Sequence, residues 1–129
     1  MAKPILCVDF DGVIHSYTSG WVDAQTIPDP PVPHALQWLA KVAEYFTVCI
    51  YSSRSNHTGA ITAMERWLYR YAAEQWGAEK ATEFCALISF PAHKPAAFLT
   101  IDDRAIMFDG HFDRLQPKDM LKFKPWNKK

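Results

Sequence analysis

Four short apolar runs, each breaking off into polar residues, constrain this chain more than any other feature. Ile5–Val8 runs into Asp9 and Asp11. Thr47–Tyr51 runs into Ser52, Ser53 and Arg54. Ala86–Phe90 precedes Lys94, and Phe98–Ile101 runs into Asp102 and Asp103. Continuous apolar runs of this length suit strands buried on both faces. Helical spacing lies between them. Leu36, Leu39, Ala40 and Ala43 predict a helix over about 33–45, with Pro33 in the first turn, where a missing N–H costs nothing. Ile61, Met64, Leu68, Tyr71 and Ala72 predict a second, longer helix ending near Gly77. Ile106–Phe108 reads as a short fifth strand. This alternation predicts an α/β fold: a three-layer, Rossmann-like, mostly parallel sheet flanked by helices, with right-handed crossovers. In such sheets ligands bind beyond the carboxyl ends of the strands, so the four polar ends should meet in one crevice.

The 129 residues fit a single domain, with no internal repeat or linker, and 49% apolar composition is enough to build a core. A formal net charge of zero argues against global attraction to nucleic acid or membrane. No apolar run approaches the roughly 20 residues that span a bilayer. The first residues, MAKPILCVDF, lack a signal peptide's long apolar region, so a cytoplasmic location is expected. Cys7, Cys49 and Cys85 sit in apolar runs and read as buried free thiols. Residues 13–27 have no helical period and read as a loop or small hairpin flap. Its His15, Tyr17 and Trp21 are candidate substrate contacts, unless Tyr17 and Trp21 simply pack the flap against the body. The segment 112–129 is a basic tail, with Arg114, Lys118, Lys122, Lys124, Lys128 and Lys129 against Asp113 and Asp119. It reads either as a solvated terminus or, with Phe123 and Trp126 among its charges, as a track for nucleic acid.

The polar ends carry the chemistry. A D-x-D-G string such as Asp9–Gly12 also occurs in calcium loops and ordinary turns, but behind a buried N-terminal strand it gains weight. Asp102 and Asp103 alone would be a solvated turn. If they meet Asp9 and Asp11, the carboxylates repel one another unless a cation is present. Oxygen-only ligands select a hard ion such as Mg²⁺, and no His/Cys spacing suggests zinc. Lys94 offers a positive partner, and Ser52 a hydroxyl beside backbone N–H donors for an anion. Arg54 either reaches a phosphate or forms a surface ion pair.

In chain order these segments resemble the four motifs of the haloacid dehalogenase (HAD) superfamily: DFDGV, VCIYSS, Lys94 and TIDDRA, together spanning residues 5–105. The resemblance implies a HAD-like phosphatase, a phosphoric monoester hydrolase acting through an aspartyl-phosphate. It makes Asp9 the nucleophile, Asp11 the general acid/base, Ser52 the phosphate-binding hydroxyl and Lys94 the charge partner. It gives Mg²⁺ to Asp9, the Asp11 carbonyl and one of Asp102 or Asp103. Ser53 and Arg54 join Ser52 as candidate phosphate contacts. The gaps between motifs are too short for a cap domain, so an open site is expected, closed by the flap, a partner subunit or a large substrate. The pattern is similar to small HAD proteins of bacteria and phages, some related to the phosphatase halves of polynucleotide kinases. The expected partner is a phosphorylated small molecule or nucleic-acid end, with no membrane and no evident oligomer. Two alternatives share parts of this pattern. A response-regulator receiver orders its Asp and Lys differently. A non-catalytic regulatory or binding module on the same fold would retain the motifs without turnover.

Overall fold

All four apolar runs form strands in the computed structural model, which describes residues 2–128; Met1 and Lys129, the last residue of the basic tail, lie outside the described residues. The strands are β1 (Ile5–Val8), β2 (Thr47–Ile50), β3 (Ile88–Ser89) and β4 (Leu99–Ile101). They pair in parallel in the order β3-β2-β1-β4. Three helices link them: α1 (Ala35–Val42) between β1 and β2, then α2 (Ala60–Trp76) and α3 (Ala78–Ala86) between β2 and β3.

Register explains where the core sits. Leu6 lies beside Val48 and Leu99, Val8 beside Ile50 and Ile101, and Val48 beside Ile88. Alternate strand residues share a face. Leu6, Val8, Val48, Ile50 and Ile88 join one buried cluster with Leu36 and Leu39 of α1, Met64 and Leu68 of α2, and Phe84 of α3. The helices therefore serve one sheet face. On the other face Cys7 and Cys49 are register partners, both buried and both free thiols. Burial pushes the Cys7 thiol up, as it does that of the half-buried Cys85.

Three expectations change. The predicted third layer is not made by a helix, because residues 90–98, which return the chain from β3 to β4, contain none. Between the second and third runs lie two helices rather than one. Gly77, at φ 87°, closes α2 and opens α3 without a loop. Ile106–Phe108 pairs with no strand, and all three side chains are exposed. The C-terminal segment adds only a short turn at Phe112–Arg114 and α4 (Pro117–Met120), neither with a buried residue. No described helix is long and apolar enough to cross a membrane.

The order of the strands positions the site. The chain leaves β1 towards β2 on one side and comes back to β4 on the other. The strand order reverses between β1 and β4, which is where a parallel sheet opens its binding crevice.

Candidate active site

Asp9 extends the sheet by one residue past β1, its N–H donating to the Ile101 carbonyl at 2.9 Å. That bond sets Asp9 beside the end of β4, from which Asp102 and Asp103 emerge. Asp9, Asp102 and Asp103 each bring one ligand oxygen to within 4.8 Å of the others. Burial, then the charge of Asp102 and a hydrogen bond with Asp103, push the Asp9 carboxyl up to about 8. Asp103 Oδ1 is buried with no hydrogen-bond partner. Gly12, at φ 83°, lets the loop pass against Asp103; a Cβ there would run into the Asp103 carboxylate. The orphaned oxygen, the crowded carboxylates and the lack of a nitrogen or sulfur donor among them fit a hard divalent cation.

Asp11 is turned to a different purpose. His15 Nδ1 lies 2.8 Å from its Oδ1, and Arg54 Nε donates to its Oδ2 at 2.8 Å. Burial opposes its ionisation, but the hydrogen bonds of His15 and Arg54 and the Arg54 charge outweigh it and hold the carboxyl below its usual range. The backbone N–H of Asp29 donates to His15 Nε2 at 3.1 Å. An accepting Nε2 carries no proton, so the ring proton sits on Nδ1, facing Asp11. Asp29 is in turn held by the Ser19 N–H at 2.8 Å and hydroxyl at 2.6 Å. His15 is fully buried between Phe10 and Trp67. It orients Asp11 and is not a substrate contact.

Arg54 is not a surface ion pair, and its Nη2 is buried with no hydrogen-bond partner among the described residues. It is fully buried, and its Nη1 donates to the carbonyls of Asp23, Ala24 and Thr26 at 2.7, 3.2 and 3.1 Å. Trp21 stacks over its guanidinium at 4.8 Å. The expected flap is thus fastened to the body through Arg54. Its base is closed by the bonds from Ser16 N–H to Pro30 O and from Val32 N–H to Ile14 O.

A cleft of about 150 Å³ lies between these groups, lined by Asp9, Asp11, Tyr17, Ser52, Ser53, Asp103 and Arg104. Ser52 Oγ accepts the Arg54 N–H at 3.1 Å, which leaves its hydroxyl proton to donate. Its own N–H is taken by Ser55 Oγ at 2.9 Å. Tyr17 enters the cleft from a left-handed backbone conformation, φ 59°, unusual for a bulky residue.

Asp9, Asp11, Tyr17, Ser52, Ser53 and Asp103, all singled out from the sequence, thus line one cleft, and Asp102 joins Asp9 and Asp103 beside it. Lys94 does not join them. It is exposed, absent from the cleft wall and in no ion pair among the described residues. Arg104 is the cation that lines the cleft, and its signal was its place directly after the acidic pair. His15, four residues past Asp11, gives no sign in the sequence of its role as the buried partner of Asp11. Comparison with protein-family models, curated proteins and solved structures finds no match for the chain.

Proposed function

We propose that the chain is a Mg²⁺-dependent phosphomonoester hydrolase with Asp9 as nucleophile. One observation carries the reading: at the sheet's switch point the half-buried Asp9, Asp103 with its orphaned oxygen and the Ser52 hydroxyl share one small cleft, and Asp102 lies close to both carboxylates. Carboxylates crowded without nitrogen or sulfur ligands call for a hard cation, and a cation beside hydroxyl donors suits a phosphoryl group. Asp9, Asp102 or Asp103 and the Asp11 carbonyl would hold Mg²⁺, which supplies charge neutralisation when bound.

The chain's own groups then divide the work. An Asp9 carboxylate oxygen bonds to phosphorus while the bond from phosphorus to the leaving oxygen breaks. Ser52 donates to a non-bridging phosphoryl oxygen. Water then attacks the same phosphorus, the Asp9–phosphorus bond breaks, and inorganic phosphate leaves. Asp11, held ionised, can accept the proton of that water, as a weaker base than a free carboxylate because His15 and Arg54 engage both of its oxygens. Held ionised, it carries no proton for the leaving oxygen; to act as a general acid it must first take one up and give up its bond with His15 or Arg54. The test is release of phosphate from phenyl phosphate with and without Mg²⁺. Turnover by wild type and none by Asp9→Asn is expected; equal turnover by both rules out the covalent route. The second reading, a binding module on the same fold, is favoured by the full engagement of Asp11 and the absence of Lys94 from the cleft wall. It expects no turnover by either protein.

A further inference from the structure

The catalytic cleft does not end at Arg104. The same residue lines a second cavity of about 210 Å³ with Ile106, Met120 and Phe123. Those three also line a third cavity, about 300 Å³, which Lys122 and Arg114 border. Arg104 is thus common to the first two hollows, and Ile106, Met120 and Phe123 are common to the second and third.

That segment is held in place. Trp126 Nε1 donates to the Gly12 carbonyl at 2.7 Å, and Asn127 Nδ2 to the Ser16 carbonyl at 3.3 Å. Pro125 is buried. The wall bearing Phe123 is thus fastened to the loop that carries Asp11. Trp126 serves as this clasp, leaving Phe123 as the ring that lines the groove.

The groove's chemistry is specific. The Arg104 side chain is exposed and makes no ion pair among the described residues, though three acids line the same cleft. Its backbone is fixed by the bond from its N–H to Asp102 Oδ1 at 2.8 Å. Met120 and Phe123 are 42% and 44% exposed. Lys122 is also without an ion pair among the described residues; Arg114 is already paired with Asp109 at 2.7 Å. Two such unpaired cations and an open aromatic surface therefore line these adjoining hollows, and Asp119 is the single acid of the third. A sugar phosphate has nothing to place on Phe123. A single-stranded nucleic acid has a base to stack there and further phosphates for Arg104 and Lys122.

We propose that the leaving group runs past Arg104 into this groove, and that it is the end of a single-stranded nucleic acid whose terminal phosphate reaches Asp9. The assignment rests on the phosphatase reading, so its test separates the two. kcat/KM is measured for phenyl phosphate and for a terminally phosphorylated oligothymidylate. Binding of a fluorescent oligothymidylate is followed by anisotropy. The oligonucleotide is expected to be the better substrate, by a margin that shrinks as salt rises. Phe123→Ala should lower its kcat/KM about tenfold relative to phenyl phosphate, the scale of one lost base stack. Lys122→Ala should act in the same direction, and Lys80→Ala, an exposed charge on α3, should change neither rate. Turnover of phenyl phosphate with no oligonucleotide preference, equal losses on both substrates, or a phosphopeptide preferred over the oligonucleotide overturns the groove assignment. Oligonucleotide binding that Phe123→Ala weakens, without turnover of any ester, supports the groove and refutes the phosphatase.

Discussion

Asp11 shows how much a single carboxylate's neighbours decide. Its two oxygens are taken by a buried histidine and a buried arginine, and both partners are also tied to the segment between residues 23 and 29. Removing Arg54 would strip Asp11 of its charge partner and free three carbonyls at once. Breaking a buried pair in this way costs about 3–5 kcal/mol. Arg54→Ala is therefore expected to lower Tm strongly, and an unchanged Tm would show that the clamp carries no stability. Gly12 gives a second test at this scale. Its φ of 83° costs an alanine roughly 1–2 kcal/mol, and the new Cβ would also push against Asp103. Gly12→Ala should lose turnover by displacing Asp103, beyond what its drop in Tm explains. Wild-type kcat in that variant would mean that the Asp103 position is not needed. The sequence displays Asp9, Asp11, Asp102 and Asp103 because acids behind apolar runs stand out. It hides the roles of His15 and Arg54, since a charged or polar side chain in a loop carries no mark of being buried.

At the scale of elements, what was legible follows the same logic. β1, β2 and β4 are short apolar runs with few competing readings. α2 has a long apolar stripe and a glycine at each end. α3 was hidden because only Ala81 and Phe84 of its residues are buried, too thin a stripe to announce a period, and because Gly77 reads as a stop. Ile106–Phe108 has strand composition but no partner, and composition alone cannot supply one. The C-terminal segment was the least legible, because its place depends on two side chains meeting carbonyls more than a hundred residues away. Trp126→Phe tests that clasp by keeping a ring and deleting the indole N–H. A net loss of about 0.5–1.5 kcal/mol is expected, read as a small fall in Tm. Faster proteolysis of the segment should accompany it, and protection equal to wild type would argue that the indole bond does not hold the segment.

Across the whole molecule, a one-sided helical layer and a sheet of four short strands leave the site to be organised by charge as much as by packing. Asp11 and Asp29 both lie below their usual range. A depressed carboxyl lends stability above its unfolded value, near 3.9, and loses it as pH falls through the lower folded value. Unfolding is expected to ease below about pH 4, with Asp29→Asn flattening that slope. Asp9, Asp102 and Asp103 make the opposite demand: with no cation among them they repel, so a bound cation should stabilise the folded chain. Whatever binds only the folded state raises its stability in proportion to the logarithm of ligand concentration once well above Kd. Mg²⁺ titrated into metal-free protein should therefore raise Tm continuously, and EDTA should return it. Asp103→Asn should weaken the shift, because it changes the residue with the orphaned oxygen. Asp102→Asn, at an exposed position whose Oδ1 is already bonded to the Arg104 N–H, should weaken it less. A Tm indifferent to Mg²⁺, or the same shift in both variants, would mean that these carboxylates do not hold the ion.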